Sequence, residues 1–321
     1  MVSLTGSRRA RVVGVMVALS LLSGCGEDAG PAGGAGASKP EEASASFPVT
    51  ISAANGDVTI EERPEQIVSL SATATEILFA IGAGDQVVAV DDQSNYPAEA
   101  PMTDLSGFDV NIEAVAGYEP DLVVYSTDPG GLQKSLDKLS ITAVSQVAAV
   151  SIDDTYAQIE QLGDATGHPA DADALIEEMQ DEISDITSSV PDLEETPTYY
   201  HELDTNYFTV TSETFIGEVY SMLGLENIAD AADKDKTGYP QLSAEYILDA
   251  NPDLVFLADT KCCDQNSETV ERRPGWEQID AVRNDDVVEL DDDIASRWGP
   301  RVVDFLRTAA QALESLESAA A

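Results

Sequence analysis

Basic side chains, histidine, cysteine and tryptophan are all scarce in this chain of 321 residues. Sixteen lysines and arginines stand against 60 aspartates and glutamates, with two histidines, three cysteines and two tryptophans. The basic deficit excludes nucleic acid as a partner, because phosphate binding needs clustered cations and a surface of this sign repels the backbone. The acids are spread along the whole chain, with a short run at Asp291-Asp292-Asp293, so they read as a very soluble or salt-adapted surface and not as a metal patch. With only His168 and His201 and few cysteines, no zinc or manganese cluster is expected, since tetrahedral zinc takes about four nitrogen or sulfur ligands at short spacings. Catalytic signatures are missing as well. There is no P-loop, no G-x-S-x-G elbow and no H-E-x-x-H, and Gly82-Ala83-Gly84 lacks the third glycine of a dinucleotide fingerprint and stops a helix instead of opening one. Neither an enzyme nor a resident cofactor is expected.

A bilayer-spanning apolar run is absent too. The nearest approach is VVGVMVALSLL, preceded by Arg8-Arg9-Ala10-Arg11 and followed by Ser23-Gly24-Cys25. A basic stretch, a short apolar stretch and small residues in that order mark residues 1–24 as an export signal. The residues after Arg8-Arg9 fit a twin-arginine signal poorly, so general secretion is expected. Leu22-Ser23-Gly24-Cys25 resembles a bacterial lipobox, which implies that Cys25 is lipidated and anchors the mature chain outside the cytoplasm. Residues 25–46 are mostly Gly, Ala, Ser, Pro and Glu without apolar period, a flexible tether with an r.m.s. span of about 25 Å. Without Arg8, Arg9 and Arg11, 13 basic side chains face 60 acidic ones, near −47. Cys262 and Cys263 are adjacent in an exported chain, which leaves a vicinal disulfide or two free thiols.

From residue 47 onward the pattern is α/β. QIVSLS, TATEILFAIGAG and DQVVAVDD read as strand, Thr-capped helix and strand; NIEAVAGYE, DLVVYS, LQKSLDKLS and ITAVSQV continue the alternation. Apolar runs without alternation predict strands buried on both faces, hence parallel sheets. Residues 168–190 form one long helix, with Pro169 in its first turn and Leu175, Ile176, Met179, Ile183 and Ile186 in a stripe. The syntax then returns in TYYHEL, in SETFIGEVYSMLGLENIA, read as one helix, and in SAEYILDANPDLVFLAD. Two Rossmann-like lobes at 47–167 and 191–321, joined by a rigid helix at 168–190 with a cleft between them, are the expected fold.

The repetition is specific. NIEAVAGYEPDLVVYS at 111–126 and SAEYILDANPDLVFLA at 243–258 each carry a glutamate seven places before a proline, then Pro-Asp-Leu-Val. Asn111 and Ser243 are candidate caps, and an acid in the first helical turn is itself favourable by about 0.3–1 kcal/mol.

Taken together, the lipobox, the tether, the two repeated words, RPGWEQIDAVRNDDVVEL and SRWGPRVVDFLRTAAQAL resemble the solute-binding lipoproteins of ABC importers for ferric siderophores and cobalamin, over about residues 47–318. The resemblance implies a monomer that captures a small iron chelate or corrinoid in the cleft and docks on a permease dimer through Glu113 and Glu245. Strand ends and loops facing that cleft should include Thr73, Tyr96, Phe108, Asp128 and Lys134 of the first lobe, and His201, Tyr207, Tyr239, Arg297 and Trp298 of the second, of which Phe108, Tyr239 and Arg297 match the family's cleft positions most directly. Few cations face a cleft in so acidic a body, so a ferric hydroxamate or corrinoid is favoured over an anionic catecholate. A zinc or manganese carrier of similar shape and a surface lipoprotein without transport role are the alternatives.

Overall fold

The computed structural model describes residues 46–190 and 195–320. The export signal, Cys25 and all of the tether except Ser46 lie outside the described residues. The chain opens with an antiparallel hairpin, β1 (Val49–Ala53) and β2 (Gly56–Ile60), around Asn55-Gly56, where Gly56 takes φ +105°. There follow β3 (Ile67–Leu70), α1 (Ala72–Ala80), β4 (Val87–Asp91), β5 (Met102–Leu105), α2 (Ile112–Ala116), β6 (Leu122–Tyr125), α3 (Leu132–Leu139) and β7 (Thr142–Ser145). These strands form an all-parallel sheet in the order β5-β4-β3-β6-β7. Two helices lead out of it, α4 (Ile152–Thr166) and α5 (Pro169–Ser189).

The second sheet is built from β8 (Thr198–Glu202), α6 (Phe215–Met222), β9 (Glu226–Asn227), α7 (Ala244–Ala250), β10 (Leu254–Leu257), α8 (Thr260–Cys263), α9 (Ser267–Glu271), α10 (Asp280–Arg283) and β11 (Val287–Glu289), with strand order β11-β10-β8-β9, again parallel. The chain ends on α11 (Asp292–Ser296) and α12 (Val302–Ala320). Every residue of β3, β6 and β10 is buried, as continuous apolar strands require.

Alternate residues of each strand feed different cores. Val68, Val123 and Tyr125 point to an outer layer with Val115, Leu132 and Leu136 of α2 and α3. Tyr200, Val255 and Leu257 point to another with Ile247, Val270, Trp276 and Ala281. The opposite faces meet in one cluster, in which Ile67 and Val124 of the first sheet and Tyr199 and Phe256 of the second are joined through Ile77, Ile159, Met179, Tyr220 and Phe305. The two lobes therefore share an inner apolar core supplied by α1, α4, α5, α6 and α12. Its aromatic centre is Tyr220, whose ring lies 4.1 Å from Tyr199, 4.7 Å from Phe256 and 5.2 Å from Phe305.

The repeated words occupy equivalent places. Asn111 and Ser243 cap α2 and α7, Glu119 and Asn251 turn the chain at φ 52° and 48°, and β6 and β10 take the same rank beside β3 and β8. The repeated aspartate has a use of its own. Asp121 accepts from the Glu65 and Gln66 amides before β3, and Asp253 accepts from the amide and hydroxyl of Thr198 at the start of β8.

The structure corrects four local readings. Ser71, and not a threonine, caps α1 by accepting from the Ala74 amide. The segment 212–229 is not one helix, because α6 stops at Met222, Gly224 turns at φ +76° and Glu226–Asn227 joins the sheet edge. The hairpin β1–β2 and the helix α4 were not anticipated. Asn-Gly is a hairpin signal, and Ser151 with Asp154 forms a capping box. The apolar period of α4 is diluted because its buried face includes Thr155, Gln158 and Thr166.

At the carboxyl ends of β8 and β10, Glu202 is fully buried and takes a two-pronged ion pair from Arg273, whose guanidinium lies over Trp276. Asp259 is buried alongside, with its carboxyl facing that of Glu202. Burial first, and the Glu202 charge second, raise its carboxyl from 3.8 to about 7. The folded chain thus holds a proton that the unfolded chain releases near pH 4, so this group's contribution is full below pH 4 and is lost as pH rises through 7. Asp259→Asn should remove that loss. The difference in melting temperature, variant minus parent, is expected to grow from pH 4 to pH 8 in a thermal scan, and a difference that stays flat counts against the buried proton.

Candidate functional site

A cavity of about 440 Å³ lies between the lobes, where strand ends of the first sheet meet the turn after β11. Its floor comes from residues at or just past the carboxyl ends of β3, β4, β5 and β6, among them Ser71, Asp91, Gly107 and Thr127; its far wall is Asp293, Ser296, Arg297 and Trp298. Open α/β sheets bind ligands at that end.

Close approach of backbone sets the floor. A Cβ on Gly107 would stand 2.7 Å from Asp91 Oδ2 and 2.7 Å from the Leu70 carbonyl, so only glycine lets the turn after β5 lie on the tips of β3 and β4. The next residue, Phe108, is thereby presented at the cavity with 70 % of its surface exposed. Asp91 is buried and takes the Ser94 hydroxyl at 2.7 Å; burial raises its carboxyl above the usual range, with the Ser94 and backbone hydrogen bonds opposing.

Among the described residues, Arg297 is the one cation that lines the cavity, and its charge is already committed. Its Nη1 donates to Glu76 Oε1 at 2.8 Å and to Asn95 Oδ1 at 2.9 Å; its Nη2 donates to the Gln93 carbonyl at 2.9 Å and to Asp293 Oδ1 at 2.8 Å. Four of the five donors of a guanidinium are used. Arg301 gives Glu76 two more hydrogen bonds, from Nε at 2.9 Å and Nη2 at 2.6 Å. Glu76, on α1 of the first lobe, is thus a buried carboxylate held by two arginines of the second. Asp293 is tied on its other side to Lys261 and to Asn95. Burial works against its charge, but the hydrogen bonds of Lys261 and Asn95 and the charges of Arg297 and Lys261 hold its carboxyl below the usual range. Trp298 is fixed against α4: its indole donates to Gln158 Oε1 at 3.1 Å and its carbonyl accepts from the Thr155 hydroxyl at 2.9 Å.

Of the expected ligand residues, the structure brings Thr73, Phe108, Arg297 and Trp298 together at this cavity. The others lie elsewhere. His201 is a correction: it is fully buried in the inner core, its Nδ1 paired with the Tyr220 hydroxyl at 2.8 Å, and desolvation lowers its pKa to about 3. Tyr207 stacks on Trp276 beside the Glu202–Arg273 pair, away from the cavity lining. Tyr96 offers its ring face to Arg301 at 4.2 Å. Asp128 accepts from the Gln133 amide at the head of α3, Lys134 lies exposed on α3, and Tyr239 is half exposed on the loop after β9. Cys262 and Cys263 are joined as a disulfide in α8, whose Thr260, Lys261 and Cys262 amides all donate to Asp292. They do not line the cavity. Glu113 and Glu245 are both exposed, at the second positions of α2 and α7. Of the residues that sequence reasoning missed, Ser71, Asp91 and Thr127 sit where the apolar runs of β3, β4 and β6 end, which is the signal that would have found them, whereas Gly107 follows the mixed strand β5 and has no such signal.

Gly107→Ala forces its new methyl into Asp91 and the Leu70 carbonyl. It should cost about 1–3 kcal/mol of stability, the usual penalty of overpacking, measured as a lower urea midpoint. A variant as stable as the parent would show that the turn carrying Phe108 is free to lift.

Three comparisons bear on this arrangement. The chain is 32 % identical over 309 residues to the ABC transporter substrate-binding lipoprotein YvrC of Bacillus subtilis, covering 93 % of this chain and 95 % of that protein. It is 37 % identical over 218 residues to a cobalamin-binding protein of Halobacterium salinarum, covering 65 % of this chain and 58 % of that protein. The crystal structure of the periplasmic vitamin B12 binding protein BtuF of Vibrio cholerae superposes with a TM-score of 0.66 at 25 % identity, over 78 % of this chain and 96 % of that one. The model of the periplasmic binding protein family matches residues 67–294, from the first strand of the parallel sheet to the wall of the cavity, and the chain belongs to that family.

Proposed function

We propose that this chain is the extracytoplasmic substrate-binding subunit of an ABC importer and that its substrate is a corrinoid. The observation that carries the substrate class is the committed Arg297: the cavity offers hydroxyls, an amide, two carboxylates and the faces of Phe108 and Trp298, and no cation left over. A tris-catecholate iron complex would bring several negative charges into this site with nothing to offset repulsion and desolvation. A corrinoid presents a broad apolar face with neutral amides at its rim, which suits aromatic surfaces beside hydrogen-bonding groups. Ferric hydroxamates share this neutrality; the names of the relatives in Halobacterium and Vibrio favour the corrinoid.

Glu113 and Glu245 support docking on a two-fold permease. They stand exposed on equivalent helices of the two lobes, as paired contacts to a symmetric partner require. Cys25 and the segment 25–46 are read as the lipid anchor and tether, in keeping with the lipoprotein name of the Bacillus relative.

Titration calorimetry with cyanocobalamin, a ferric trihydroxamate and a ferric tris-catecholate, at low and high salt, tests the substrate. Cyanocobalamin is expected to bind tightest, and tighter binding of either iron complex at both salts would overturn the corrinoid assignment. In cells that depend on this protein for corrinoid uptake, Glu113→Ala with Glu245→Ala should abolish uptake while the purified variant keeps its affinity. Cys25→Ala should move the protein from the membrane fraction to the soluble one. Normal uptake by the double variant would reduce both glutamates to helix-end acids, and unchanged sedimentation of the Cys25 variant would remove the anchor.

A further inference from the structure

We propose that Glu76 sets the charge selectivity of the cleft: by neutralising Arg297 and Arg301 from behind the wall, it makes the site refuse anionic ligands. This rests on the reading of the interlobe cavity as the ligand site. Glu76 does not line the cavity, so it acts through the arginines as a positioning residue.

Two arginines reach this region from the segment 297–301, and an arginine pair at the edge of a ligand cavity is ordinarily an anion receptor, because the guanidinium fork matches carboxylate and phosphate. Here the fork of Arg301 and one arm of Arg297 are turned to one buried carboxylate, which accepts three N–H groups at 2.6–2.9 Å, while the other arm of Arg297 is held by the Gln93 carbonyl and Asp293. Arg301's remaining face is covered by Tyr96. The account extends outward, since Lys261 is paired with Asp291 and Asp293, and Asp292 takes the amides of α8. Three cations, Arg297, Arg301 and Lys261, therefore meet four carboxylates, Glu76, Asp291, Asp292 and Asp293. An anionic ligand would have to draw N–H donors away from Glu76 and leave it buried without compensation.

A purely adhesive role does not explain the arrangement. A buried ion pair is often no more stabilising than well-packed apolar side chains, and the lobes already share an apolar core. What an apolar joint would not provide is a cavity wall that carries guanidinium donors and no net positive charge.

The test uses the purified full-length protein with two tetrapyrrole probes of different charge, cyanocobalamin, which is neutral, and haemin, which carries two propionates. In Glu76→Gln the isosteric amide removes the carboxylate that Arg301 pairs with and leaves Arg297 with Asp293 alone, and the ratio of haemin to cyanocobalamin affinity should rise at least tenfold. In Asp293→Asn, at a partly exposed position, it should rise at least threefold. Both gains should shrink at high salt, as charge attraction does, and Glu76→Asp should keep the parental ratio. Loosening of the fold alone would weaken both probes together and leave the ratio where it was. A ratio that stays within twofold in Asp293→Asn, and in Glu76→Gln where that variant folds, overturns the proposal. If the parent fails to bind cyanocobalamin while the variants gain haemin, the corrinoid assignment falls and the role of Glu76 stands; if the parent binds cyanocobalamin and no ratio moves, the assignment stands and the role of Glu76 falls.

Discussion

A carboxylate removed from water needs cations or donors in fixed positions, and in this protein that need is met across the cleft. Glu76 lies on the first helix of the first lobe, and its partners Arg297 and Arg301 lie on the last turn before the final helix. To reach it, the chain after β11 must cross from the second sheet to the first, carrying Trp298 onto α4 and Asp293 onto Asn95. The cavity wall and its charge follow from this anchoring.

The shared inner core completes the constraint. In a two-domain protein with a polar interface, relative motion is the default, but here buried residues run without a break from Ile67 and Val124 through Tyr220 and Phe305 to Tyr199 and Phe256. The surfaces that bound the cavity are consequently tied to one core. The acids of the outer surface take no part in this. They are kept where water solvates them, and the few cations near the cleft are spent on internal partners.

Duplication explains why much of the fold was readable. The words around Pro120 and Pro252 return because each lobe needs the same capped helix, the same left-handed turn and the same aspartate tying the start of its neighbouring strand. The fully apolar runs of β6 and β10 announced parallel sheets, and the stripe through Met179 announced the connecting helix. Reading failed where local pattern was weak. The helix α4 buries threonines and a glutamine, so its period was diluted, and the two-residue edge strand β9 looked like the tail of α6.

The sequence by itself determined the fold class, the repetition, the positions of the two exposed glutamates and the scarcity of cations, because these depend on composition and on contacts within one helix or strand. Only the tertiary structure decided which side chains meet at the cleft. Arg297 and His201 both read as ligand contacts, yet the guanidinium of one is paired with a carboxylate 221 residues earlier in the chain and the other is buried against Tyr220. Burial and partnership are properties of long-range packing, and a residue type carries no record of them.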